Sequence, residues 1–291
     1  MIQAQTSKKI QPSSGRRRNV TAGSVVLEIV SCLLALICFF PLLWMICVSL
    51  KINESSLATA FHYFFPPFTV RHYIDVLSGG TKVVRWLTNS VGIAAIVTAF
   101  VGLFCSMASY ALAKMQFRGR KAFYFYFLIG LMVPGEATIV SLFVLTNSLK
   151  LIDTYAGLIL PALAGSMNII IMTSFLTGIP NDLIDAACID GAGEVSTYIH
   201  VVLPLSRTVL VTVSIFTFIG NWNSYLWPYL CAMSEDNFTL PVGIPTFISQ
   251  FTVDKTVPMT VNSIASLPIL IFFVLFEKQI VKGISLTGIK G

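Results

Sequence analysis

An all-α integral membrane protein with six transmembrane helices is the fold class that the sequence predicts, and three observations predict it. The 291 residues are 55% hydrophobic and 11% charged, with a mean hydropathy of +0.81, far from the mix of a water-soluble domain. Six apolar runs, Val25 to Val48, Val91 to Ala113, Ala122 to Leu145, Gly157 to Phe175, Val209 to Leu230 and Val261 to Val281, approach or exceed the roughly 20 residues that a helix needs to cross about 30 Å of hydrocarbon. The cations flank these runs asymmetrically. With the N-terminus in the cytoplasm, Lys8, Lys9, Arg16, Arg17, Arg18, Lys114, Arg118, Arg120, Lys121, Arg207, Lys278, Lys282 and Lys290 face inside, against Lys51, Arg71, Lys82, Arg85, Lys150 and Lys255 outside.

Residues 1–22 form a polar, basic cytoplasmic tail, 23–282 the six-helix domain and 283–291 a second cytoplasmic tail. The first run is far longer than the apolar region of a cleaved signal peptide, about 7 to 15 residues, so it is expected to stay as a helix. An outer segment from about Lys51 to Ser90 follows, with the interfacial aromatics and prolines of "FHYFFPPFTVRHYIDVL". A basic inner turn, "KMQFRGRK", joins the second and third runs, and a short outer loop, "NSLKLIDTY", joins the third and fourth. The stretch "LIDAACIDGAGEVSTYIHVVLPL" lies inside, and residues from about Cys231 to Pro258 form another outer loop.

The net charge of +6 does not point to nucleic acid, because the cations form no stripe interleaved with exposed aromatics. Six cysteines lack paired spacing and lie mostly in apolar runs, which predicts free thiols and no metal. His62, His72 and His200 are too scattered for a zinc cluster or a triad base. A phosphate loop, G-x-x-x-x-G-K-[ST], is missing; "GISLTGIKG" approaches it, but Ile289 displaces Lys290 and no strand precedes it. No covalent catalysis and no cofactor bound by the chain are expected.

Two polar features lie within the runs. Glu136 follows Pro134 and Gly135 in the third; it reads either as a pathway-lining carboxylate or as one near the outer interface, satisfied locally. In "GNWNSYLWPYL", Trp222, Asn223 and Tyr225 combine ring faces with an amide, which suits a polyhydroxylated solute, although an aromatic belt accounts for the rings equally well.

The inner stretch breaks the apolar pattern. A proline ends the fourth run, Asn181 is placed to cap the next helix, and Asp182 and Asp185 fall in its first turn, where the helix dipole favours them. Ala186 and Ala187 allow close approach to the backbone. Gly191 suits a positive φ in "DGAG", and a second short helix runs to Pro204, expected to start the fifth span. Such a pair, without a core of its own, predicts a docking element. An amphipathic helix lying on lipid is the alternative, disfavoured by its acidity.

In this stretch the sequence also resembles the inner-membrane permeases of binding-protein-dependent ABC importers, specifically the carbohydrate-uptake, maltose-type branch. Their cytoplasmic signature is Glu-Ala-Ala, three residues, Gly, nine residues, Ile-x-Leu-Pro. Asp185, Ala186, Ala187, Gly191, Val201, Leu203 and Pro204 match every spacing, with Asp for the first Glu and Val for Ile. The likeness extends through "RWLTNS", "YALAKMQFRGRK", "LIDTYAGLILP", "WNSYLWP", "FTLPVGI" and "GISLTGIKG".

The resemblance implies a type I ABC importer permease in the bacterial inner membrane, with a coupling helix (Asp185 to Ala192, including Asp190) within coupling helices over about 181–203. It also implies a second homologous permease, two cytoplasmic ATPase subunits that use ATP and Mg²⁺, an extracytoplasmic solute-binding protein and a sugar cargo. A glycerol-phosphodiester or polyol is the alternative cargo. A proton-coupled carrier relayed by Glu136 is the alternative class, and it lacks the inverted repeats that would favour it.

Overall fold

The computed structural model describes residues 22–52, 60–79, 81–247 and 255–288; the N-terminal tail and the last three residues lie outside them. All regular structure among the described residues is helical. The chain divides into two units between Trp44 and Met45, within the first helix, α1 (Ala22–Ser49). At 28 residues α1 is about 42 Å long, enough to cross a bilayer alone.

In the second unit, α2 (Arg71–Leu77) precedes α3 (Val83–Lys114), a 32-residue helix against which α7 (Ser166–Thr177) and α11 (Arg207–Trp222) pack. The packing follows from spacing. Ile93, Val97, Val101 and Cys105 recur every fourth residue of α3 and form one buried stripe, which meets Met172 of α7 and Val209 and Val213 of α11. At one end of α3, Trp86 packs with Trp222, Leu240 and Val261. That ring lies so close to Gly243 that a Cβ there would sit 2.0 Å from it. At the other end, Tyr110 and Ala113 join Leu176, Tyr198 and Val202.

The third apolar run is not one straight helix. It is α4 (Arg120–Met132) and α5 (Gly135–Ser148), bent by 103° at Pro134. Proline has no N–H to continue the ladder and disfavours helical ψ at the residue before it, and Val133 is extended at φ −83°, ψ 118°. The fourth run is likewise interrupted. It comprises α6 (Tyr155–Ile159), a 3₁₀ turn over Leu160–Leu163 and α7.

Beyond α7 come α8 (Asp182–Ile189) and α9 (Glu194–Thr197); a π turn over Tyr198–Val202 leads from α9 into α10 (Leu203–Leu205). Pro204 therefore lies in the approach helix rather than starting the fifth span: α11 begins at Arg207 after a 77° bend. The fifth run also breaks, at Asn223–Tyr225, before α12 (Leu226–Cys231); α13 (Leu240–Gly243) follows, and α14 (Thr256–Gly288) continues past Val281. Gly23–Ser49, Val83–Lys114, Tyr155–Thr177 and Thr256–Ile280 are each long and apolar enough to cross a membrane. Counting each bent pair as one crossing brings these 4 to 6.

Candidate functional site

The polar stretch from Leu183 to Leu205 folds as two short helices around a glycine turn. The end of α8 is a Schellman motif: the Ala192 N–H donates to the Ala187 carbonyl at 2.9 Å and the Gly191 N–H to Cys188 at 3.0 Å. Closing it requires Gly191 at φ +84°, in the left-handed region where a Cβ is strained. The glycine of the signature thus has a backbone reason. Asp185, Ala186, Asp190, Gly191 and Pro204 are exposed, and Ala187, Ala192, Val201 and Leu203 are half-buried. Leu183, Ile189 and Val195 add apolar surface, Ile189 being 86% exposed.

Two expectations change here. Asn181 does not cap α8 with its side chain; its Oδ1 accepts from Lys114 Nζ at 2.8 Å, and the same ammonium donates to the Ile179 carbonyl at 2.6 Å. The lysine at the end of α3 takes the oxygen that a free helix would use on itself. Nor is the pair without a core. Ile184, Tyr198, Val202 and Leu203 pack on Tyr110, Ala113 and Leu176, so one face is seated on α3 and α7 and the other is open.

Polar contacts fix that seat. Tyr110 is 5% exposed and its hydroxyl donates to Glu194 Oε2 at 2.7 Å; Ser106 and Tyr198 share a hydrogen bond of 2.6 Å. The two tyrosine rings lie 5.6 Å apart. The π turn has a local cause: Pro204 cannot donate to the His200 carbonyl and its ring crowds it, and the Leu203 N–H reaches back to Tyr198 instead. In the sequence Glu194 is one of the acids crowded into this stretch, and nothing there pairs it with Tyr110 or marks Ser106. The only local signal was a tyrosine, Tyr198, on the buried side of a polar stretch. Tyr110 and Glu194 also line a largely apolar groove of about 1090 Å³, which runs past Gly102 and Ser214 to Phe218 and Phe272.

The residues considered for a solute pathway are not gathered in one place. Trp222 is 5% exposed, stacked on Phe218 and packed with Trp86, so its faces serve the core of this chain. Asn223 is exposed and bonds back to the Ile219 carbonyl at 3.0 Å; Tyr225 is exposed and stacked on Tyr229. Glu136 is exposed in the first turn of α5, at the break. Their neighbours Asn221, Ser224 and Trp227 line a cavity of about 250 Å³, where the Trp227 indole N–H donates to the Gly157 carbonyl at 3.0 Å.

At the end of α3 remote from α8, the loop before α6 and the loop after α12 are latched together. Asp153 Oδ1 accepts from the Met233 and Ser234 backbone N–H groups, the Ser234 hydroxyl and the Asn237 amide, all at 2.9 to 3.0 Å. Burial raises the Asp153 pKa, but these donors outweigh it and lower it to about 2. Asn89 holds the same loop through the Asp236 and Phe238 carbonyls at 2.8 and 2.9 Å.

A helical membrane protein with a seated, outward-facing helical pair is the class that this geometry defines. Residues 99–286 match the family model described as "Binding-protein-dependent transport system inner membrane component". The chain is 31% identical over 278 residues to the arabinooligosaccharides transport system permease protein AraQ of Halalkalibacterium halodurans, covering 95% of this chain and 100% of that one. It is 32% identical over 275 residues to the trehalose/maltose transport system permease protein MalG of Thermococcus litoralis, covering 92% and 97%. A bacterial ABC transporter involved in the import of the acidic polysaccharide alginate has the same fold, at a TM-score of 0.79 and 19% identity over 90% of this chain and 99% of that one. The chain belongs to the family of inner-membrane components of binding-protein-dependent transport systems, and it is a multi-pass membrane protein.

Proposed function

We propose that this chain is the permease subunit of an ATP-driven importer of oligosaccharides and forms half of its translocation pathway. The observation that carries the reading is full-length similarity to permeases named for arabinooligosaccharides and for trehalose and maltose. A second, homologous permease completes the pathway, seated along the apolar groove of α3, α11 and α14. Two ATPase subunits dock on the open face of α8, hydrolyse ATP with Mg²⁺ and close on each other. An extracytoplasmic solute-binding protein delivers sugar to the latched outer loops. Both termini lie in the cytoplasm, as the cation count favours.

In this mechanism the chain does no covalent chemistry. Closure of the ATPases pushes α8, and the push passes through the packed face of Ile184 and the Tyr110–Glu194 and Ser106–Tyr198 bonds into α3. Because α3 also carries the packing of α7 and α11, the spans move together and access alternates. Asp185, Asp190 and Gly191 present the docking face; Glu136, Asn223 and Tyr225 are proposed to face the pathway in the assembled transporter. Purified transporter, reconstituted with its binding protein and screened against sugars, is expected to show ATPase activity stimulated by an oligosaccharide. A panel in which no sugar stimulates hydrolysis or enters vesicles would overturn the proposal.

A further inference from the structure

Between the end of α3, the first two turns of α4 and the second half of α7 lies a cavity of about 580 Å³ that the coupling mechanism does not use. It is at the same end of α3 as α8, since Lys114 of that end binds Ile179 and Asn181. Its lining combines Arg120 and Lys121 with Thr173, Thr177 and the ring of Phe125, and no carboxylate contributes to it.

Three features of this lining point to an anion. Thr173 is only 4% exposed, and its Oγ1 is buried with no hydrogen-bond partner. The Ile169 carbonyl, which a helical threonine ordinarily bonds, is engaged by Ser109 Oγ of α3 at 3.0 Å. A buried hydroxyl left over in this way is costly unless a ligand takes it up. Next, α4 begins with two cations, no acid in its first turn and no side-chain cap, so positive side chains adjoin the positive end of the helix dipole. Finally, the Arg120 guanidinium is held in place by the Ala113 and Met115 carbonyls, each at 3.2 Å, whereas Lys121 makes no hydrogen bond or ion pair among the described residues.

The surface leading away from the cavity identifies the kind of anion. Lys121, Phe125 and Ile129 stand four residues apart on one face of α4, and Phe125 and Ile129 are 62% and 59% exposed. A cation followed by an exposed apolar stripe matches a phosphate headgroup followed by an acyl chain, and a free phosphate ion would leave the stripe unused. We propose that this cavity binds the phosphate of an anionic phospholipid of the cytoplasmic leaflet, with Lys121, Arg120 and the Thr173 hydroxyl around the headgroup and an acyl chain along Phe125 and Ile129. The leaflet rests on the orientation proposed above; basic pockets between transmembrane helices on that side are suited to such lipids.

The test is native mass spectrometry of the full chain purified with its partner subunits, titrated with phosphatidylglycerol, with phosphatidylcholine and with inorganic phosphate. Retention of phosphatidylglycerol over phosphatidylcholine is expected, weakened about fivefold by Lys121→Gln, preserved by Lys121→Arg and weakened by Thr173→Val. Equal retention of the two lipids, or unchanged affinity in both Lys121→Gln and Thr173→Val, would overturn the proposal. So would displacement of the lipid by millimolar inorganic phosphate, which would make a free anion the ligand. Because the readout is binding, a transporter that imports no sugar yet keeps this preference would sink the import reading and support the cavity's.

Discussion

The Tyr110 hydroxyl and the Glu194 carboxylate meet at 2.7 Å, joining the end of α3 to the first turn of α9 across 84 residues of sequence. A hydrogen bond to a charged acceptor is worth about 1.5 to 3 kcal/mol when its donor is buried, as Tyr110 is. Tyr110→Phe is therefore expected to lower thermal stability modestly and to lower sugar uptake more than ATP hydrolysis. A double-mutant cycle with Glu194→Gln should return a coupling energy of about 1 kcal/mol or more. A coupling near zero would show that the bond transmits nothing.

Gly191 closes the Schellman turn at φ +84° and has open space where a side chain would project. The cost of a side chain there is conformational, about 1 to 2 kcal/mol. Gly191→Ala and Gly191→Val should both weaken co-purification of the ATPase, with Val the worse, while Gly191→Asn, which tolerates this backbone region, loses least. Equal behaviour of Ala and Asn would count against the turn as the cause.

Asp185 is exposed in the first turn of α8, so Asp185→Lys loses a favourable helix-dipole interaction and should lower the stability of the chain by only about 1 kcal/mol. Uptake is nevertheless expected to be abolished, because the charge lies on the proposed docking face. Normal substrate-stimulated ATPase activity in the reconstituted variant would remove Asp185 from that face.

Asp153 gives a pH dependence at the opposite end. Its pKa is lowered to about 2 in the folded chain, below the ordinary carboxylate value near 3.9, so the ionised group stabilises the latch at neutral pH. The contribution is complete above about pH 4 and fades as the pH falls toward 2. Hydrogen exchange at Met233 and Ser234 should accelerate over that window relative to Asp153→Asn, in which the latch is already weakened. Identical pH profiles would exclude the carboxylate as the latch.

Much of the fold was legible because its signals are local. Apolar runs mark the spans, Pro134 marks the break after α4, and the acids before Ala186 and Ala187, followed by Gly191, mark α8 and its turn. The 103° size of the break was not legible, since proline removes a bond without dictating an angle. Asn181 looked like a cap because caps are judged within one segment, and Lys114 reaches it from another helix. The seat of the helical pair was missed for the same reason: Tyr110 and Glu194 are unremarkable until α3 brings them together. Trp222 read equally as a solute-facing ring or an interface ring, and neighbours from α3 and α14 made it core.

The π turn at Tyr198–Val202 sets a rotational phase. It accommodates one residue more than an α-helical turn, so α9 and α10 keep the relative facing of a regular helix one residue shorter. Deleting one residue of α9 after Glu194, with the π winding kept, would swing Glu194 by about 100° around the helix axis, without shortening any span. Helix α8 and the membrane helix would both survive, but they would point in different directions. In the proposed mechanism, where a push on α8 becomes movement of the spans, this turn works as the setting of a crank.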